Sequence, residues 1–182
     1  MKTISDHLAD IVGNSVEAHA TLIEIIVTDD NIKDIYVLEV IDDGCGMNEE
    51  MLKQVASPFF TTRNTRRVGL GIPLLNQNAA ASNGTVAIQS QVGKGTSLKA
   101  AFQLSHIDRP PAGDIPDSLY LMFMGNPGIR FIYRHNTPVG SFEIDSAELI
   151  RLLNGVSLQV QPIKKAVIEL ISNNLADIKA SK

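Results

Sequence analysis

The sequence is poor in the residues that build disulfides and zinc sites: it has one cysteine, Cys45, and four histidines. A single cysteine excludes an internal disulfide bond. No cysteines or histidines stand at metal-ligand spacing, which excludes a zinc-type site. These absences suit a reducing compartment, so we expect a cytoplasmic protein.

Long apolar runs and a strong charge bias are also missing. Stretches such as ATLIEIIV (residues 20–27) are interrupted by charge well before the roughly 18 residues of a membrane helix. The N-terminus, MKTISDHLAD, is polar and acidic where a signal peptide would be apolar. The net charge is -4, and basic residues cluster only at Arg63, Arg66 and Arg67. We therefore expect no membrane span, no secretion and no nucleic-acid partner.

The chain has enough apolar residues for one good core, or for one domain with a smaller appendage: 44% of its 182 residues are hydrophobic. Apolar residues at helical spacing predict a first helix from Ile4 to about His19, with Ser5 or Asp6 as its N-cap. Runs rich in β-branched residues predict two hairpins, one on each side of two further helices. The predicted elements after helix one are strands 21–27 and 35–41, helices 48–56 and 74–84, and strands 85–91 and 96–104.

A proline-rich stretch, HIDRPPAGDIPD (residues 106–117), predicts a domain edge. We accordingly divide the chain into a domain of residues 1–107 and an extension of residues 108–182. The extension is predicted to contain strands 118–124, 129–134 and 139–144, followed by helices 147–155 and 162–178.

Two acids and two glycines follow directly after a predicted strand, in VIDDGCGM (residues 40–47). Helix one carries Asp10, Asn14 and Glu17 on one face, because residues three and four apart are neighbours on a helix. An ordinary turn and an ordinary solvated helix face would explain these residues as well. The apolar opposite face of the helix favours a polar face that borders a cleft.

The segment PFFTTRNTRRVGLG (residues 58–71) combines two threonines and three arginines with Gly69 and Gly71, just before a helix. Backbone N–H groups at such a glycine-rich helix start bind anions, and arginines add positive charge. The segment does not match a P-loop. It does not match a dinucleotide-binding fingerprint either, because Leu74 stands where that motif has its third glycine. A phosphate-binding segment is therefore predicted, with a surface arginine cluster as the alternative.

The motifs DIVGNSVEA, DDGCGM, PFFTTR, VGLGI and GKGTS occur in this order between residues 10 and 97. Their order and spacing resemble the ATP-binding domain of sensor histidine kinases, Hsp90 chaperones, type II topoisomerases, MutL proteins and anti-sigma-factor kinases. The resemblance covers about residues 4 to 105. It implies an α+β fold, a two-layer α/β sandwich of the Bergerat type, whose mixed and mostly antiparallel sheet is covered by helices, with a small C-terminal α+β extension.

The resemblance also implies how adenine binds. Asp42 would accept a hydrogen bond from the exocyclic amine, and Thr96 would support that contact through its hydroxyl. Gly44 and Gly46 would let the chain pass close to the base, and Met47 would pack on the ring. Of the remaining residues in the motif, we expect Asp43 to be solvated and Cys45 to be a small buried filler.

The phosphates and the metal are placed by the same resemblance. Asn14 would hold Mg²⁺, and Gly69, Leu70 and Gly71 would donate backbone N–H groups to ATP. The implied nucleotide-binding lid contains Thr62, Arg63, Arg66 and Arg67, of which one or two arginines would reach the β- or γ-phosphate.

The chain departs from the family pattern at its presumed general base. Relatives that hydrolyse ATP carry a glutamate four residues before the metal asparagine, where this chain has the shorter Asp10. No histidine has the sequence context of a phospho-acceptor. We expect a soluble regulatory protein kinase or ATP-dependent switch with a protein partner or phospho-acceptor. The alternatives are a non-catalytic nucleotide sensor, a slow ATPase that uses Asp10, and a scaffold that binds no nucleotide.

Many relatives have a strand before helix one, whereas the sequence here begins at helix one, so we expect one edge of the sheet to be open. The exposed sheet edge must then be covered. We expect either the strands predicted within residues 118–144 or a second copy of the chain, in a homodimer, to cover it.

Overall fold

The computed structural model describes residues 1–55 and 71–181. These residues form one six-stranded sheet with the strand order β3-β4-β2-β1-β5-β6. All neighbouring strands are antiparallel except β1 and β5, which are parallel. The strands are β1 (Leu22–Asp30), β2 (Ile35–Asp42), β3 (Thr85–Gln91), β4 (Gly95–Gln103), β5 (Arg130–Asn136) and β6 (Ser141–Asp145).

Helices cover one face of this sheet. Helix α3 packs on β3 and β4, α1 packs on β2 and lies between α3 and α4, and α6 packs on α4. This two-layer arrangement confirms the predicted fold class. The helices are α1 (Ile4–Glu17), α2 (Glu49–Gln54), α3 (Gly71–Ala81), α4 (Ile115–Gly125), α5 (Ser146–Leu152) and α6 (Gln161–Asp177).

The periodicity of the sequence explains how α1 and β2 meet. Alternate residues of β2, from Tyr36 to Asp42, are buried, as expected for a strand with one covered face. The apolar stripe of α1, from Ile4 through Leu8 to Ile11, is buried at helical spacing. The next position of that stripe is Ser15, so a hydroxyl lies over the end of β2.

Two local predictions were wrong. Residues 118–124 are part of α4 and not a strand: Asp114 caps the helix by accepting from the N–H of Asp117, 3.0 Å away. The run is rich in leucine and methionine, which favour helices, and lacks β-branched residues. In addition, α1 is capped by Thr3, which forms a capping box with Asp6, and not by Ser5 or Asp6.

The free edge of β1 is covered by β5, which pairs with it from Leu22↔Arg130 to Thr28↔Asn136. This confirms the first of the two expected ways of covering that edge. Within the described parts of the chain, no helix has the length and apolarity needed to cross a membrane.

Candidate functional site

The carboxylate of Asp42 is the centre of the site. It lies at the end of β2, is only 8% exposed, and is held from three directions. One oxygen accepts the hydroxyl of Ser15 at 2.7 Å, and the other accepts the N–H groups of Gly44 at 3.0 Å and Thr96 at 3.2 Å. A carboxylate has about four lone-pair positions, so the three protein donors leave it able to accept one more hydrogen bond.

The glycines after Asp42 allow close backbone contacts. Gly46 has a φ of +66°, and a Cβ there would overlap the carbonyl of Gln91. A Cβ on Gly44 would come within 2.8 Å of both the Cβ and the carbonyl oxygen of Ala18. The intervening Cys45 donates its N–H to Ala18, 2.9 Å away. Any larger residue would push the strand end away from α1.

Ser90 ties the same segment to β4. Its hydroxyl accepts the N–H of Met47 at 2.8 Å, and its oxygen lies 2.9 Å from the hydroxyl of Thr96. Thr96 thus contacts Asp42 through its backbone N–H and not through its hydroxyl, as the resemblance implied, because the hydroxyl contacts Ser90. Sequence reasoning missed both Ser15 and Ser90. The signal for Ser15 was its place on the sheet-facing stripe of α1, directly after Asn14.

The structure confirms one expectation within the DDGCGM motif, that Asp43 is solvated, and corrects another, that Cys45 is buried. Asp43 is exposed but is not merely solvated: it accepts the N–H and hydroxyl of Thr21, at 2.7 and 2.6 Å, and the N–H of Leu22 at 2.9 Å. The Thr21 hydroxyl bond holds the pKa of Asp43 below its usual value. Cys45 is exposed and does not fill the core. Asp43 therefore anchors the start of β1, which leaves Asp42 as the carboxylate of the site.

A second part of the site lies one turn earlier on α1. A Cβ on Gly71 would overlap the carboxylate of Asp10, so this carboxylate lies against the first turn of α3. Helix starts present N–H groups without intrahelical partners and carry partial positive charge. Asn14 follows Asp10 by four residues on α1 and thus stands on the same helix face.

The other predicted phosphate-binding residues lie outside the described part of the chain; they are Thr62, Arg63, Arg66, Arg67, Gly69 and Leu70. Within the described residues, the structure brings Gly71 to Asp10. Met47 contacts Ser90 through its own backbone N–H, which donates to the Ser90 hydroxyl.

The donor groups near Asn14 fit a metal that is shared with a ligand. Within residues 1–55 and 71–181, no three His, Cys, Asp or Glu side chains come together as a metal site. Mg²⁺ keeps several waters and binds one or two protein oxygens together with substrate phosphates. A single amide oxygen at Asn14 fits this kind of coordination.

A cleft of about 320 Å³ opens at the ends of β2, β3 and β4. Asp42, Ser90 and Thr96 of the site line it, together with Ile41, Gln89 and Ser97. Because these two sets of residues alternate along their strands, the cleft reaches both faces of the sheet at the strand ends. The carboxylate of Asp42 thus borders this cleft and meets Ser15 on the covered face.

Residues 3–106 match the family model described as "Histidine kinase-, DNA gyrase B-, and HSP90-like ATPase". A protein of Shewanella frigidimarina described as a sensor protein is 36% identical over 103 residues, which are 56% of this chain and 16% of that protein. Sensor histidine kinase YxdK of Bacillus subtilis is 38% identical over 74 residues, which are 38% of this chain and 23% of that protein. The chain thus spans less than a quarter of the length of these two relatives.

The fold is also found in a solved structure. The crystal structure of the N-terminal domain of a DNA repair protein superposes with a TM-score of 0.56 at 14% identity, covering 92% of this chain and 57% of that chain. At this identity the likeness concerns the fold alone. It includes strands and helices beyond residue 106, where the family model ends.

Proposed function

The chain belongs to the family of histidine kinase-, DNA gyrase B- and HSP90-like ATPases, and from this premise we propose that it binds ATP with Mg²⁺ and acts as a regulatory protein kinase or ATP-dependent switch. The observation that carries the proposal is the geometry of Asp42. Its carboxylate is buried, held by three donors, and still able to accept a hydrogen bond at the mouth of the covered layer.

This carboxylate would select adenine. The exocyclic amine of adenine donates to it, whereas guanine presents a carbonyl oxygen at the same position. Two acceptors facing each other in a buried site leave both unpaired, which costs about 1–3 kcal/mol or more. Thr96 supports this role because its N–H orients the carboxylate.

Helix α1 would position the nucleotide along its length. Ser15 contacts Asp42 near the proposed base, and Asp10 lies against Gly71 near the proposed phosphates. The step of five positions from Asp10 to Ser15 corresponds to about 7.5 Å along the helix axis. Asn14 lies between the two ends and would hold Mg²⁺. The backbone of Gly69, Leu70 and Gly71 and the side chains of Thr62, Arg63 and Arg67 would complete the phosphate site.

When bound, Mg²⁺ would neutralise charge on the phosphates. Asp10 is the proposed base: it would take the proton of an attacking hydroxyl as the new O–P bond forms and the bond to the β-phosphate breaks, leaving ADP. Its shorter side chain places the carboxylate about 1 Å or more from the position of a glutamate, and base catalysis depends steeply on that distance. We therefore propose slow hydrolysis, with transfer to a protein acceptor as the favoured reaction.

A nucleotide sensor without catalysis is the second candidate, because aspartate replaces glutamate at the base position. ATP would then order the site for a partner and remain intact. Single-turnover incubation with γ-labelled ATP and Mg²⁺ distinguishes the two: a kinase or ATPase releases or transfers label, whereas a sensor returns intact ATP.

The wider setting is also a proposal. We propose a cytoplasmic protein whose partners are an adenine nucleotide and a protein, either a phospho-acceptor or a docking partner. Residues 1–107 would form the nucleotide-binding domain. Residues 108–182 would complete the sheet and serve partner binding or a homodimer.

Calorimetric titration with ATP and Mg²⁺ tests the adenine assignment. Asp42→Asn replaces one acceptor oxygen by a donor and should weaken ATP binding by about 1–3 kcal/mol, roughly 5- to 150-fold. The matched control is Asp177→Asn, an exposed position at the end of α6, which should bind like the unaltered chain. Equal affinity of Asp42→Asn and the control would contradict the assignment.

Removal of the metal ligand is tested in the same titration. For Asn14→Ala we expect ATP affinity to become nearly independent of Mg²⁺, because the amide oxygen that couples metal to protein is gone. An unchanged dependence on Mg²⁺ concentration would contradict the role of Asn14.

A further inference from the structure

A buried histidine outside the proposed ATP contacts joins the two helices that form the phosphate end of the site. His7 of α1 is only 1% exposed, and its Nε2 lies 2.8 Å from the Nδ2 of Asn78 on α3. Neither residue belongs to the proposed nucleotide contacts. The same two helices meet again where Asp10 lies against Gly71.

The order of these two contacts shows how the helices run. Along α1, His7 precedes Asp10; along α3, its partner Asn78 follows Gly71. The helices are therefore antiparallel, and the start of α3 points toward the end of α1 that carries Asn14. A shift of α3 along α1 would move the first-turn N–H groups relative to Asp10 and Asn14 by the same distance.

The apolar packing of α3 is modest. Leu75 and Ala79 are its buried residues, Ile72 is partly buried against the core, and the helix contains no charged side chain. Apolar contacts have no preferred direction, and small alanine side chains offer little resistance to sliding. A short hydrogen bond to a buried group such as the His7 ring is directional and is costly to leave unmade.

We propose that the His7–Asn78 hydrogen bond positions α3 along α1 and thereby holds the start of α3 in register with Asp10 and Asn14 for phosphate binding. This inference rests on the proposed function. His7 acts through Asn78 and Gly71, so it is a positioning residue and not a catalytic one.

The chemistry of the bond makes it sensitive to protonation. The amide nitrogen of Asn78 can only donate, so Nε2 of His7 must be an unprotonated acceptor and the ring hydrogen lies on Nδ1. Burial lowers the pKa of His7, and the N-terminal amine lowers it further, against the opposing charges of Asp6 and Asp10. The ring is thus neutral at neutral pH.

The charges around His7 come from few elements. Besides the N-terminal amine, Asp6 and Asp10, helix α4 packs on α1 and carries Asp114 at its cap and Asp117 in its first turn. Helix α3 has no titratable residue. Protonation of His7 would place two donors against each other and break the bond. ATP affinity should then fall on the acid side of the ordinary histidine pKa of about 6.5.

The test measures ATP affinity from pH 8 to pH 5.5 by calorimetry in the unaltered chain and three variants. His7→Leu removes the bond and should bind ATP about tenfold more weakly at pH 7.5, as for the loss of one hydrogen bond. His7→Gln keeps an acceptor that does not titrate, so it should bind normally at pH 7.5 and lose less affinity in acid. Asn78→Asp provides an acceptor for a protonated ring and should also lose less affinity in acid.

ATP itself gains protons in this range, but that contribution is common to all four chains and cancels in the comparison. Nitrogen chemical shifts of the ring should show the Nδ1–H form of His7 at pH 7.5. The inference is overturned if folded His7→Leu binds ATP like the unaltered chain, or if Asn78→Asp has the unaltered pH profile. Lack of ATP binding by the unaltered chain would overturn the proposed function and this inference together, whereas normal binding with unaffected variants would overturn the inference alone.

Discussion

Replacement of Gly71 by alanine would perturb the proposed phosphate end of the site through a single methyl group. Among the described residues, a Cβ at this position overlaps the carboxylate of Asp10 and no other group as closely. Asp10 is a short side chain with few rotamers, so it can give way only by turning to another position. The expected result is a displaced carboxylate and an otherwise intact fold.

Typical energies give the expected size of the effects on stability and on turnover. Alanine is more favourable than glycine in a helix by up to about 1 kcal/mol, and an off-rotamer Asp10 costs about 0.5–1.5 kcal/mol. These terms nearly cancel, so the free energy of unfolding should change by no more than about 1 kcal/mol. A displacement of about 1 Å in a catalytic group lowers a rate by roughly 100-fold. Turnover should therefore fall far more than stability.

The assay is single-turnover consumption of ATP with Mg²⁺, alongside denaturant unfolding and ATP affinity. Gly128→Ala is the matched control, because no atom from residues 1–55 or 71–181 lies within 4 Å of a Cβ there. In an Asp10→Ala background the overlap is absent, so Gly71→Ala should then have no further effect on the rate. An equal loss of rate in both backgrounds would refute the assignment of the effect to Asp10.

Two further predictions concern the buried carboxylates of Asp42 and Asp29. Ser15→Ala removes one of the three hydrogen bonds that orient Asp42 and should raise the Kd for ATP roughly 2- to 10-fold with the fold retained, because an intramolecular hydrogen bond contributes about 0.5–1.5 kcal/mol; calorimetry that shows an unchanged Kd would contradict this. Asp29 is 4% exposed and accepts the N–H and hydroxyl of Ser181. Burial raises the pKa of Asp29, but the His135 ring and Ser181 outweigh burial and hold it below the usual value. A carboxyl with a lowered folded pKa stabilises the fold above its unfolded pKa of about 3.9 and loses that contribution as pH falls through the folded value. Asp29→Asn should therefore lower the free energy of unfolding by about 1–3 kcal/mol at pH 7, and denaturant titrations should show the difference shrinking below pH 4.

The elements that the sequence predicted well are those with local signals. Helix α1 and both hairpins follow from spacing that each segment carries by itself, and Asp42 stood out because acids and glycines followed a strand. Residues 118–124 were assigned wrongly because an apolar run of seven residues fits a strand or a buried helix equally well. The capping side chain of Asp114 decided between them.

The contacts that complete the site could not be predicted because they join distant parts of the chain. Ser15 and Asp42 are separated by 27 residues and meet only after α1 packs on β2. Ser90 reaches Met47 across 43 residues for a similar reason. Cys45 looked like a core residue from its type alone, and only the path of the backbone past Ala18 shows that its side chain is exposed.

The parallel pairing of β1 with β5 has a consequence for synthesis. Leu22 pairs with Arg130, which is synthesised more than a hundred residues later, so this strand pair cannot form before then. Contacts this distant in sequence slow folding, and incomplete sheets are prone to aggregate. We therefore expect residues 1–107 to remain immature until β5 has been translated, so that competence for the proposed binding of ATP arises only after residue 136 has been made.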